Sequence, residues 1–141
     1  MVRIDQIKQI AKSTAIFEPP ATAEELKRCQ EDLYVLDLPP MPQAYVDFLS
    51  ICNGFSDGGD QSFYGTERTL KSKPNGIVSA NEHNMDFFVT NKKLLIGKGG
   101  EELFVYNAAD GRYEMIDDLA LDVYESFKTF EELFRAVNKR W

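Results

Sequence analysis

The sequence contains a single histidine, His83, so any serine or cysteine nucleophile activated by an imidazole base would have to use it. Glu82 and Asp86 lie close enough to His83 in sequence to hold a protonated imidazole. Acidic neighbours of this kind are also ordinary around a histidine on a surface loop or helix. We interpret His83 as a partly exposed structural histidine and predict that the chain has no catalytic residues and is not an enzyme.

Three aspartates, Asp117, Asp118 and Asp122, are close enough in sequence for acid/base chemistry by paired carboxylates, or for metal binding. No histidine or other donor accompanies them in this stretch, and carboxylates are common on solvated faces. The pattern therefore predicts an acidic patch that faces solvent or a partner, and no metal site.

Two glycine-containing segments resemble nucleotide-binding loops only superficially. Residues 53–60 follow a predicted helix and lack the Lys-Ser/Thr ending of a P-loop, and they also lack the ligand spacing of an EF-hand. No predicted helix follows Gly97, Gly99 and Gly100, as a dinucleotide-binding fingerprint requires. We predict that both segments are surface loops and that the chain binds no cofactor. The alternative is a protein that binds a small ligand or a metal through the Asp57 to Asp60 loop or through the cluster of Asp117, Asp118 and Asp122.

Composition sets the class of protein. A chain of 141 residues with 43% hydrophobic residues has the size and apolar content of one folded domain, here 1–141. The two cysteines, Cys29 and Cys52, lie on predicted apolar helix faces without zinc or disulfide spacing, which fits a reducing cytosol. The first residues lack the apolar core of a signal peptide, and charged residues interrupt every apolar run. We expect a cytoplasmic protein that does not enter a membrane.

The charge is negative and uneven. The net charge is −7, which argues against nucleic-acid binding because phosphate contacts need lysine and arginine. Between Glu101 and Glu132 there are ten acidic residues, against only Arg112 and Lys128. The negative field is therefore predicted to lie on the C-terminal third.

Helical patterns occupy both ends of the chain. Ile4, Ile7, Ile10 and Ala11 suggest a short N-terminal helix, and capping-box residues Thr22 and Glu25 predict a second helix over about 23–34. Pro42 at its start and Asn53-Gly54 at its end bound a third helix, whose apolar face is Tyr45, Phe48, Leu49 and Cys52. A second capping box, Thr129 and Glu132, opens a closing helix with the apolar stripe Phe130, Leu133, Phe134, Val137 and Trp141.

Between these helices, short apolar runs separated by turn residues such as Pro74, Asn75 and Gly76 predict strands at 63–64, 77–78, 87–89 and 94–96. Residues 103–106 and 113–116 predict an antiparallel hairpin with Gly111 at a bulge position. The order of elements predicts an α+β fold with N-terminal helices, an antiparallel sheet and a C-terminal helix packed on the sheet.

The segment from Leu38 to Gly54, LPPMPQAYVDFLSICNG, resembles the signature of the SUKH superfamily. That signature is a Leu-Pro pair followed in order by a tyrosine, a Phe-Leu pair and an Asn-Gly pair, which correspond here to Tyr45, Phe48-Leu49 and Asn53-Gly54. The likeness continues through Ile96-Gly97, the hairpin and the residues from Ser126 to Leu133. That superfamily joins a yeast cell-wall-synthesis regulator domain to many bacterial immunity proteins. The resemblance implies a strongly bent antiparallel sheet, no enzymatic activity and, in bacteria, binding of a toxin that is often a nuclease.

The chain departs from its relatives in having no tryptophan in the middle region, so the resemblance assigns no partner contact. Acidic inhibitors suit basic toxins, because complementary charge steers association. We therefore hypothesise a cognate basic protein toxin as partner, and the alternative is a regulatory scaffold unrelated to toxins. The hypothesised contact residues are the aromatic residues Tyr64 and Phe87, which we expect to be exposed, and the acidic residues Glu101, Glu102, Asp110, Asp117, Asp118 and Asp122.

Overall fold

The computed structural model of the chain describes residues 9–11, 13–66 and 76–139. Within these ranges the chain forms five helices and seven strands. The helices are α1 (Ala23–Val35), α2 (Gln43–Leu49), α3 (Ile77–Glu82), α4 (Met85–Thr90) and α5 (Phe130–Lys139). The strands are β1 (Ile16–Phe17), β2 (Phe55–Ser56), β3 (Ser62–Phe63), β4 (Lys93–Lys98), β5 (Glu102–Asn107), β6 (Arg112–Asp117) and β7 (Val123–Phe127).

The strands form one open antiparallel sheet in chain order, from β1 to β7. Its regular centre is the hairpin of β5 and β6, which pairs Glu102 with Asp117 at one end and Asn107 with Arg112 at the other. Gly111 has a positive φ of 69°, which glycine tolerates without strain, and it ends the connection between the two strands. The predicted hairpin is thus confirmed, although the β5–β6 register contains no bulge.

Local capping signals position α1 and α5 as predicted. The backbone N–H of Glu25 donates to Oγ1 of Thr22 at 3.1 Å, and the Glu25 carboxylate accepts from the N–H of Thr22 at 2.9 Å. The same reciprocal pair joins Thr129 and Glu132, with both distances at 3.2 Å. Each box satisfies N–H groups that the first helical turn leaves unpaired, which fixes where the helix starts.

The core is an aromatic cluster between the helices and the sheet. Phe48 of α2 lies against Phe130 and Phe134 of α5, with ring centroids 4.9 and 5.5 Å apart. Phe63 of β3 meets Phe130 at 5.2 Å in an edge-to-face arrangement. These rings are fully or almost fully buried, so their apolar area is the main driving force that holds α2 and α5 on the sheet.

Two buried asparagines hold backbone that has no neighbouring strand. The side chain of Asn81 donates to the carbonyl of Leu95 at 2.9 Å and accepts from the Leu95 N–H at 2.8 Å, and so extends the β4 ladder where β3 has ended. Asn53 similarly donates to Oγ1 of Thr66 at 2.7 Å and accepts from the Thr66 N–H at 2.7 Å. The Asn81 amide therefore completes the pairing of β4, and the Asn53 amide joins the chain before β2 to the chain after β3.

The structure corrects several local predictions. Residues 77–78 and 87–89 belong to helices α3 and α4, not to strands. Helix α2 ends at Leu49, so Cys52 lies in the following turn, and Pro42 precedes the helix as its N-cap. Strands β1, β2 and β7 have no counterpart among the predicted strands.

Some predictions concern residues outside the described ranges. Most of the predicted N-terminal helix, Pro74, Asn75 and Trp141 lie there. Among the residues that are described, none of the helices combines the length and the apolar character needed to cross a bilayer.

Candidate functional site

Five of the predicted acidic contacts lie together at one end of the sheet. Glu102 pairs with Asp117 across β5 and β6, and the N–H of Asp118 donates to the carbonyl of Glu101 at 3.2 Å. The N–H of Asp117 donates to the carbonyl of Asp122 at 3.0 Å, which closes the β6–β7 turn. We call this group the acidic end, and its members are Glu101, Glu102, Asp117, Asp118 and Asp122.

Asp117 builds the turn that presents the acidic end. Its carboxylate accepts hydrogen bonds from the N–H groups of Ala120 at 2.7 Å and Leu119 at 2.8 Å. These two hydrogen bonds lower the pKa of Asp117, because they stabilise the charged form. Asp117 is therefore an anion at neutral pH whose charge is already shared with the backbone, whereas Glu101, Asp118 and Asp122 are exposed.

Apolar side chains lie next to the acidic end, and the sequence did not single them out. Leu119 in the β6–β7 turn is 90% exposed, and Tyr124 and Val123 at the start of β7 are 51% and 44% exposed. The Tyr124 hydroxyl donates a hydrogen bond to the carboxylate of Glu102, which ties β7 to the start of β5 across β6. A leucine that directly follows two aspartates, just after the strand predicted at 113–116, was the available signal, since such a residue has no core to enter.

Asp110 does not belong to this group. It lies in the β5–β6 connection, where Asn107 donates to its carboxylate at 3.3 Å. Because β5 runs from Glu102 to Asn107, Asp110 is at the opposite end of the hairpin, about 17 Å or more from the acidic end. The predicted acidic residues therefore form two groups, which lie at opposite ends of the β5–β6 hairpin.

The two aromatic contacts predicted as exposed are half-buried. Tyr64 packs against the core, and burial raises the pKa of its hydroxyl. Phe87 lies on α4 and packs edge-to-face on Phe88, with ring centroids 5.3 Å apart. The predicted exposure of both rings is therefore wrong, because each packs against the rest of the fold. Tyr64 directly follows β3, and Phe87 is in a helix that covers β4.

The other residues considered for ligand binding or catalysis, the Asp57 to Asp60 loop and His83, form no metal-binding cluster among the described residues. In the loop after β2, Asp57 is 1% exposed, and its Oδ1 accepts from the N–H of Gly59 at 2.7 Å. The same Oδ1 lies 3.3 Å from the N–H of Gln61, so the carboxylate folds the loop, and the hydroxyl of Thr14 donates to the backbone carbonyl of Asp57 at 2.7 Å. His83 is exposed at the end of α3. Within the described ranges, no three histidine, cysteine, aspartate or glutamate side chains are grouped so as to hold a metal ion.

An open antiparallel sheet with helices packed on it defines an α+β protein. A protein-family model described as the SMI1 / KNR4 family (SUKH-1) matches residues 20–135. The chain therefore belongs to this family, as the resemblance implied. No curated protein matches the chain in sequence.

The residues that carry the family signature lie in the core. Tyr45, Phe48 and Leu49 are completely buried, and Asn53 is 5% exposed. Their contacts are with the sheet and with α5, and Asn53 bridges to Thr66. The signature therefore reports the fold, and the partner surface has to be sought in other residues.

Proposed function

We propose that the protein acts by binding another protein, and that it neutralises a basic toxin in the cytoplasm of the cell that makes it. Membership of the SMI1 / KNR4 family supports a protein-interaction module. The acidic end is the surface that we propose contacts the toxin, because it combines outward carboxylates with the exposed Leu119. Protein–protein interfaces usually have an apolar centre and a polar rim. Here Leu119 and the half-exposed ring of Tyr124 would form the centre, and the carboxylates would form the rim.

The electrostatics favour a basic partner. Glu101, Asp118 and Asp122 are exposed, and no cation of the described residues forms an ion pair with them. Charges that lie within about 8 Å of one another act as a single field at physiological ionic strength. Such a field raises the rate of encounter with a basic surface, such as that of a nuclease, and competes with its nucleic-acid substrate.

The direct test is co-expression of the protein with the product of the adjacent open reading frame, scored as growth of the host. The proposal expects that the adjacent product alone stops growth and that the protein restores it. Purified together, the two proteins should form a complex whose affinity falls as salt rises. An adjacent product that is not toxic, or a gene that stands alone, would favour a regulatory role instead.

Charge reversal tests the acidic end itself. The triple variant Glu101→Lys, Asp118→Lys, Asp122→Lys leaves Asp117 and its turn intact, and we expect about tenfold or greater loss of affinity for the toxin. The matched control is Glu31→Lys, Asp32→Lys, Glu82→Lys, which makes the same change in net charge at exposed helical positions. Equal binding by both triple variants would reject the acidic end as the contact surface.

A further inference from the structure

A second surface feature lies where β7 leads into α5, and its charge is opposite to that of the chain. A groove opens between the last residues of β7, the start of β6 and the outer face of α5. We call it the β7–α5 groove, and it is lined by Arg112, Ser126, Phe127, Lys128, Glu132, Arg135 and Ala136. Three of these side chains are cationic in a protein whose net charge is −7.

Two cations of the groove make hydrogen bonds, and Arg135 also forms an exposed ion pair within α5, of a kind that contributes little and leaves the guanidinium accessible. Nε of Arg112 donates to Oγ of Ser126 at 2.9 Å, which orients the guanidinium without cancelling its charge. Arg135 is 47% exposed, and its Nε lies 3.3 Å from a carboxylate oxygen of Glu131 on the same helix. Lys128 is exposed and forms no ion pair with the residues that the structure describes.

The acidic residue that lines the groove, Glu132, caps the start of helix α5. Oε1 of Glu132 accepts hydrogen bonds from the backbone N–H groups of Lys128 at 2.9 Å and Thr129 at 3.2 Å, as part of the α5 capping box. Its charge is thereby placed on the first turn of the helix. The side chains that line the groove include three cations and one anion. The cations offer donors that match carboxylates, since a guanidinium presents paired N–H groups in a fork.

We propose that the β7–α5 groove binds a short acidic segment of a protein, with carboxylates paired to Arg112, Lys128 and Arg135. The half-buried Phe127 and Ala136 give the segment an apolar floor. This inference does not rest on the proposed function, because it uses residues at the other end of β6 from the acidic end and can hold for a toxin, a regulator or another partner.

The surrounding charge selects a short protein segment over a nucleic acid. Arg112 and Asp117 are the two ends of β6, about 17 Å apart along the strand. A polyanion longer than this would extend towards the carboxylates of the acidic end, which repel phosphates. A segment with two to four carboxylates fits within the positive part of the field, which decays over about 8 Å at physiological salt.

Titration of the isotope-labelled protein with the acetylated peptide Gly-Glu-Asp-Glu-Asp-Gly, followed by NMR, tests the inference. We expect saturable shifts of the amides of Ser126, Lys128, Glu132 and Arg135 at about 20 mM NaCl, with affinity falling at least about fivefold at about 300 mM. The neutral peptide Gly-Gln-Asn-Gln-Asn-Gly should cause no saturable shifts. Shifts confined to other residues, or none at all, would overturn the proposal.

Matched variants separate the groove from net charge. The triple variant Arg112→Gln, Lys128→Gln, Arg135→Gln should bind the acidic peptide at least about tenfold more weakly, whereas Lys27→Gln, Arg28→Gln, Lys98→Gln should bind within about twofold of wild type. The double variant Lys128→Gln, Arg135→Gln changes only exposed side chains and serves if Arg112 proves necessary for folding. Equal losses in both triple variants, or tighter binding of a single-stranded oligonucleotide than of the peptide, would contradict it.

Discussion

The hydroxyl of Tyr45 lies 3.0 Å from the backbone carbonyl of Ile96 and so joins helix α2 to strand β4 through a fully buried side chain. The same hydroxyl also contacts the carbonyl of Tyr64. Burial raises the pKa of Tyr45 well above its ordinary value, so the hydroxyl remains a donor at every physiological pH. The tyrosine of the family signature is thus one of the side chains that hydrogen-bond a helix to the sheet.

Removing this hydroxyl should destabilise the fold. We expect Tyr45→Phe to lower the free energy of unfolding by about 1–3 kcal/mol, because the carbonyls of Ile96 and Tyr64 lose a buried donor. Urea denaturation measures the change. Tyr34→Phe is the control, since Tyr34 is 82% exposed and its replacement should have almost no effect. Equal stability of the two variants would show that the Tyr45 hydroxyl contributes nothing net.

The amide of Asn81 should be equally important for β4. Asn81→Leu leaves the N–H and the carbonyl of Leu95 without their side-chain partners, and we expect a loss of about 2–4 kcal/mol. Hydrogen exchange at the Leu95 amide should also accelerate. Asn84→Ala, at an exposed asparagine whose side chain does not cap the next helix, is the control and should change stability by less than about 1 kcal/mol. Unchanged exchange at Leu95 in Asn81→Leu would contradict this role.

Local signals predicted the elements that local chemistry defines. Capping boxes at Thr22 and Thr129 located α1 and α5, and the turn residues before Arg112 located the β5–β6 hairpin. Helices α3 and α4 were mistaken for strands because each has six residues, too few for the helical period to differ from a short apolar run. Strands of two residues, such as β1 and β2, have no period at all.

The candidate site was predictable only in part, because proximity depends on register. The acids of the acidic end were all identified, yet only the pairing of β5 with β6 shows that Glu102 joins Asp117 while Asp110 is carried to the other end. The half-burial of Tyr64 and Phe87 follows from tertiary packing, which no local pattern encodes. Tyr124 was missed because β7 was not predicted, and the register shift between β6 and β7 interrupts its alternation.

The buried thiol of Cys52 should make the protein less stable in alkali. Burial raises the pKa of Cys52 to about 12, so the native state keeps this proton at a pH where the unfolded chain has lost it. The resulting stability is fully present below the unfolded pKa of about 8.5 and is lost as pH rises towards the native value. Between pH 8 and pH 10 we expect wild type to lose about 2 kcal/mol more than Cys52→Ala, measured by urea denaturation.

Thiol labelling checks the same burial independently. Cys52 and Cys29 are 1% and 2% exposed, so an aromatic disulfide reagent at neutral pH should label neither in the folded protein and both in urea. Labelling of native protein at the rate of a free thiol would contradict the burial of Cys52. Parallel pH profiles for wild type and Cys52→Ala would show that other groups, such as the buried tyrosines, cause the alkaline loss.

Asp117 and Asp118 are neighbours with separable roles, and this gives the sharpest test of the acidic end. Asp117→Ala removes the acceptor for the N–H groups of Leu119 and Ala120, so both amides should lose protection from exchange and the turn should loosen. Because the native pKa of Asp117 is lowered, its contribution to stability is present above the unfolded pKa of about 3.9 and is lost as pH falls through the native value. The difference between wild type and Asp117→Ala should therefore narrow on acidification.

Asp118→Ala should behave in the opposite way, since Asp118 is exposed and builds no part of the turn with its side chain. We expect unchanged protection of the Leu119 and Ala120 amides and unchanged stability, within about 0.5 kcal/mol, but a slower association with a basic partner. Stopped-flow association kinetics measured at two salt concentrations report the second effect. If Asp118→Ala associates as fast as wild type while Asp117→Ala alone impairs binding, the partner recognises the shape of the turn, with Leu119 at its tip, more than its charge.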